Sequence, residues 1–134
     1  IFAYGGGPIS ITNLVSNAGV VGSDVTGVGT ARAYLAACSY GGDKGIFGYG
    51  YTGSEFSLTN LVSNSGVVAT DTTGVGTARH NLAACEYGQG KGIFGYGTPG
   101  YISITNLVSD AGVVATDTSG VGTARYGLGG CSFN

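Results

Sequence analysis

Methionine and tryptophan are absent from the 134 residues, histidine occurs once, and only 9% of the chain is charged. Each shortage removes a class of function. The five basic residues, Arg32, Lys44, Arg79, Lys91 and Arg125, are scattered and outnumbered by seven acidic ones, for a net charge of −2. Nucleic-acid binding needs clustered Lys and Arg to displace phosphate counterions, so it is excluded. No apolar run approaches the roughly 20 residues of a membrane-spanning helix. The start, Ile1-Phe2-Ala3-Tyr4-Gly5, lacks the basic and apolar regions of a signal peptide. The missing methionine leads us to expect a chain cut from a longer translation product, and a leader already removed would leave no trace. A mean hydropathy of +0.26 excludes a disordered chain. What abounds is glycine, 28 residues, about three times ordinary usage.

The chain is three copies of one unit. NLVSN or NLVSD starts at Asn13, Asn60 and Asn106, and GVGTAR starts at Gly27, Gly74 and Gly120, both with spacings of 47 and 46. GIFGYG starts at Gly45 and Gly92, with a degenerate IFAYG at Ile1, and Cys38, Cys85 and Cys131 keep the same register. The units run over 1–45, 46–92 and 93–134, within one domain. Gly and β-branched residues recur too often for helix. Between Arg79 and Asp117 the pattern predicts four strands: Asn81 to Tyr87, Gly92 to Gly97, Ile102 to Val108 and Val113 to Asp117. In the second of these, alternation places Phe94 and Tyr96 on one face, with Gly95 and Gly97 on the other. Four strands in about 45 residues is the pattern of a propeller blade.

An Arg, a small apolar strand, I-F-x-Y-G, a mixed strand and a Val pair follow one another in each unit, and this order resembles the kelch repeat. Arg32, Arg79 and Arg125 match the kelch Arg, and Gly5-Gly6 matches its glycine doublet. The doublet is half kept at Gly50-Tyr51 and Gly97-Thr98. The kelch Tyr slot holds Leu14, Leu61 and Leu107, and the Trp slot holds Val20, Val67 and Val113. The resemblance implies an all-β propeller of four-stranded blades, three per chain. The chain opens within the second strand of a blade and stops within the next first strand. Three blades do not close a ring, since propellers have about four to eight. We therefore expect a homodimer that closes six blades by strand exchange, or a segment of a longer repeat array.

No side chains form a readable catalytic or metal site, and no cofactor is implied. The odd number of cysteines, at equivalent positions in the innermost strands, is expected to be reduced, buried and used for packing, because neighbouring blades hold them beyond the roughly 7 Å a disulfide spans. This leans toward a reducing, cytoplasmic origin. Asp24, Asp71 and Asp117 each precede an Arg (Arg32, Arg79, Arg125) by eight residues, so one ion pair per blade is expected, the alternative being a cationic ring that binds an anion. His80 has no counterpart in the other units, its slot being held by Ala33 and Tyr126.

The copies differ most at two places. One follows the Arg: Ala33-Tyr34, His80-Asn81 and Tyr126-Gly127. The other is the loop after the second strand: Gly6 to Ile9, Tyr51 to Phe56 and Thr98 to Tyr101. In an antiparallel hairpin both fall at one end of the blade. Tyr34, Tyr51, Phe56, His80, Tyr101 and Tyr126 are therefore the candidate contacts of a recognition face, tyrosine supplying apolar area and a hydroxyl at small entropic cost. The expected function is a non-catalytic interaction scaffold for a protein ligand. Alternatives are a carbohydrate-binding, lectin-like propeller and an adhesive element of a microbial or viral surface array.

Overall fold

A chain so rich in glycine and β-branched residues has little to build helix from. The computed structural model of the protein, which describes residues 1–133, contains strands and no helix. Eight strands are formed: β1 (Phe2–Ala3), β2 (Thr12–Asn13), β3 (Ala36–Tyr40), β4 (Lys44–Gly48), β5 (Thr59–Val62), β6 (Ala83–Tyr87), β7 (Lys91–Gly97) and β8 (Ile102–Val108). They make three antiparallel sheets, β1-β2, β3-β4-β5 and β6-β7-β8. Equivalent residues occupy equivalent registers: Cys38 faces Ile46 across β3-β4, and Cys85 faces Ile93 across β6-β7.

The fourth expected strand, Val113 to Asp117, is not a continuous strand. The segment touches β8 at two bridges, Val108 to Val114 and Thr105 to Thr118. The contacts are three residues apart on β8 but four apart on the outer segment, so the outer chain carries one extra residue, a bulge. The same offset recurs at Val62–Val68 with Thr59–Thr72, and at Val15–Val21 with Thr12–Val25. In each case the Asp of the unit lies inside the bulge, where the local kink re-aims its side chain. The expected last strand after Arg125 is also missing among the described residues: β3 and β6 each pair with the strand that follows them, whereas residues 128–133 pair with none.

Phe94 and Tyr96 do not share a face. Tyr96 has φ 65°, and the β7–β8 register shifts between Gly95 and Gly97, which reverses the alternation. Tyr4 and Tyr49 carry the same left-handed backbone, with φ of 63° and 67°. At each joint between sheets the earlier one thus offers its Tyr and the later one its Phe. Tyr4 meets Phe47 edge-on at 5.5 Å, and Tyr49 meets Phe94 at 5.2 Å. Around these pairs lie the two apolar cores: Tyr4, Phe47, Val62 and Val68 between the first two sheets, and Tyr40, Ile46, Tyr49, Leu82, Phe94 and Val108 between the last two. Gly74 shows how closely the chain is folded on itself, since a Cβ there would overlap the carbonyl group and hydroxyl of Ser57.

Candidate functional site

The two variable segments are brought together by backbone hydrogen bonds. Ala33 and Tyr51 exchange N–H···O bonds of 3.0 and 2.9 Å, and His80 and Thr98 exchange two of 3.0 Å. A second set of bonds runs from unit to unit. The Asn81 N–H donates to the Tyr34 carbonyl at 2.9 Å, and the Gly127 N–H donates to the Asn81 carbonyl at 2.8 Å. All three residues are left-handed, with φ of 58°, 51° and 66°. The variable side chains flank this main-chain rail.

Two aromatic groups result. His80 lies between Tyr51, at 4.9 Å between ring centres, and Tyr34, at 6.0 Å. Its Nδ1 is 3.6 Å from Glu55 Oε1 and has no hydrogen-bond partner. Glu55 is held there by the Tyr51–Glu55 bridge. In the third unit Tyr101 and Tyr126 pack at 5.1 Å, and both are exposed, as is Tyr34. Phe56 is half-buried; its N–H bonds to the Gly50 carbonyl and its carbonyl accepts from the Arg79 N–H. It belongs to the support of the face. Glu55, absent from the sequence-derived set, was hidden because no other unit carries an acid at that position.

The ion pairs differ from those expected. Arg32 lies 3.8 Å from Asp71 of the following unit rather than pairing with Asp24. Asp24 accepts from Asn13 Nδ2 at 2.8 Å. Arg32 is fully buried and each of its three guanidinium nitrogens is bonded: Nε to the Tyr49 carbonyl at 2.6 Å, Nη1 to the Thr30 carbonyl at 3.0 Å, and Nη2 to Asn60 Oδ1 at 2.6 Å. Its guanidinium covers the Tyr4 ring at 4.5 Å. Arg79 follows suit, with Nε on the Tyr96 carbonyl at 2.9 Å and its guanidinium 4.0 Å over Tyr49. Its Nη2 and Asn106 Oδ1, the counterparts of the Arg32–Asn60 bond, are buried and unpartnered. Burial holds the Arg79 guanidinium below its usual pKa, against the opposing influence of Tyr49 and Asp117. An anion would therefore find neither Arg32 nor Arg79; Arg125 alone of the three is exposed.

Asp71 and Asp117 are the other half of this fastening. Asp71 accepts from Thr30 N–H and Oγ1 and from Asn60 Nδ2, and Asp117 accepts from Thr77 N–H and Oγ1 and from Asn106 Nδ2. Desolvation pushes both carboxyls up, but these hydrogen bonds and the nearby Arg outweigh it and hold both below the usual 3.8. The recurring Thr of GVGTAR and Asn of NLVSN were the sequence signal for this network.

The three cysteines are free, but they are not all buried: Cys38 and Cys85 are half-buried and Cys131 is exposed. Cys38 is the most enclosed, packing over Gly92, and burial pushes its thiol up to about 12. Cys131 lies in the stretch where the described residues form no strand. Among the described residues no group of three or more His, Cys, Asp and Glu side chains could hold a metal ion, and no helix is long and apolar enough to cross a membrane. A cleft of about 820 Å³ opens between the first two units, among Leu14, Val20, Asp43, Lys44, Val62 and Ser65. It adjoins the β3–β4 turn, at the other end of the hairpin from the aromatic groups. No protein-family model matches the chain, and no curated protein matches it.

Proposed function

We propose that the chain is a non-catalytic, propeller-like scaffold whose aromatic face recognises a protein partner. One observation carries this reading: the segments in which the units differ most converge on Tyr34–His80–Tyr51 and on Tyr101–Tyr126. A constant framework with variation confined to one end is how a scaffold presents a binding surface. Exposed tyrosines beside a Glu and a His offer apolar contact and polar direction together.

A carbohydrate ligand is the second reading, favoured by the exposed Tyr101–Tyr126 pair, against which a sugar ring would stack. Panning a random peptide library on the wild-type chain tests the first reading. The comparison is a variant with Tyr34→Ser, Tyr51→Ser, Tyr101→Ser and Tyr126→Ser. Peptides enriched on the wild type and lost on the variant support a protein-recognition face. Binding on a glycan array with no peptide enrichment transfers the face to the second reading, and enrichment that survives in the variant removes the face from both.

A further inference from the structure

The contacts that join one unit to the next occur twice within the chain, and each end of the chain carries one unused half. At the first joint, Thr30 bonds to Asp71, Tyr4 packs on Phe47, and Leu14 presses on Gly66 so closely that a Cβ there would overlap it. At the second, Thr77 bonds to Asp117, Tyr49 packs on Phe94, and Leu61 lies 2.9 Å from where a Cβ on Gly112 would be. Gly29 and Gly76 lie flat against the Asp–Asn pair of the following unit, where any side chain would collide with it.

The third unit ends in the same donors without their acceptors. Thr123 is exposed, and the Asp–Asn pair that abuts Gly29 and Gly76 is missing beside Gly122. Among the described residues the Arg125 guanidinium bonds only the Thr123 carbonyl, and it still covers the Tyr96 ring at 4.5 Å. Val121, whose carbonyl accepts from the Tyr96 hydroxyl, is 88% exposed. The first unit holds the matching acceptors. Among the described residues Asp24, which is exposed, is bonded only to its own Asn13, Phe2 is 62% exposed, and β1 is hydrogen-bonded along one edge only.

We infer that a second copy of this chain docks head to tail in the register of the internal joints. Thr123 N–H and Oγ1 bond to the carboxylate of Asp24 in the other copy. Arg125 Nε reaches its Tyr4 carbonyl, and Nη2 reaches its Asn13 Oδ1. Phe2 of the other copy packs on Tyr96, and its Gly19 receives Leu107. The residues after Arg125 then gain the strand they lack: Gly129 pairs with Ala3 and Cys131 with Ile1, as Ala36 pairs with Gly48 and Cys38 with Ile46. The interface is heterologous, two different surfaces meeting, and two copies joined at both ends bring together six units, a number that closes a propeller ring. This inference rests on the repeat-by-repeat stacking in the scaffold reading and is independent of what the aromatic face binds.

Light scattering across a dilution series tests it, with peptide or glycan binding measured separately. The expected mass is twice the 13.2 kDa of one chain. Two charge variants, Asp24→Lys and Thr123→Asp, test the register, both at exposed positions, with circular dichroism to confirm folding. Each alone is expected to dissociate more than tenfold more readily than the wild type. When the two are mixed, the introduced lysine of one variant faces the introduced aspartate of the other at one joint. The second joint keeps the original Asp24 and Thr123, and the two-chain mass returns. A wild-type chain that stays at single mass at the highest concentration overturns the inference. So does a pair of folded variants that associate as the wild type does, or a mixture that fails to recombine.

Discussion

Thr30 Oγ1 donates to Asp71 Oδ2 at 2.7 Å across 41 positions of chain, and the Thr30 N–H reaches the same carboxylate at 2.9 Å. One carboxylate thereby holds the end of one unit to the outer bulge of the next. Asp71→Asn is expected to destabilise the fold by about 1–3 kcal/mol, since an amide offers N–H to donors that need an acceptor. Urea denaturation at pH 7 measures this.

The same carboxylates set the acid limit of stability. Asp71 and Asp117 have folded pKa values held below 3.8, so the folded state keeps them charged where the unfolded chain takes up protons. Their contribution is complete above the unfolded value and is lost as pH falls through the folded one, from about pH 4 downward. Thermal melting between pH 7 and pH 2 is expected to show this loss. In an Asp71→Asn, Asp117→Asn double variant the decline over that window should be shallower.

Arg32 is a harder position than its charge implies. Its three bonds and its place over Tyr4 need a planar fork, which lysine lacks. Arg32→Lys is expected to cost about 3 kcal/mol, with m-value unchanged in the same denaturation experiment.

Gly74→Ala is predicted to prevent folding altogether, because the added methyl would sit on the backbone of Ser57. Circular dichroism of the purified variant should lack the strand signal. Gly53, which has open space around it, is the control position, and Gly53→Ala there retains the fold at a cost of about 1 kcal/mol for its positive φ.

Thiol labelling at neutral pH should resolve the three cysteines when copies are kept dilute enough to be separate. Cys131 is exposed and reacts first; Cys38, pushed up to about 12 by burial, reacts last. Timed alkylation followed by peptide mass mapping should show a separation of about tenfold or more.

The strands were readable where side chains alternate and failed where backbone geometry intervened. Ile102–Val108 is a strand over the residues its alternation indicated. Tyr96 was misassigned because nothing in I-F-G-Y-G announces a left-handed tyrosine, a conformation costly for a bulky residue unless its surroundings hold it. Here the hydroxyl bond to Val121 and the Arg125 stack do so. The Asp–Arg spacing of eight misled in a different way: proximity in sequence stood in for proximity in space, while the bulge turned Asp71 and Asp117 toward the unit before their own. Of the candidate site, the meeting of the two variable segments followed from hairpin geometry. The His80–Glu55 contact did not, since neither residue recurs.

The rail that runs from Tyr34 through Asn81 to Gly127 is made of main-chain groups alone. These bonds form at both joints although the adjoining positions 33, 80 and 126 carry alanine, histidine and tyrosine. Positions 80 and 126, where the side chain already changes from unit to unit, are therefore open to exchange with these main-chain bonds left standing.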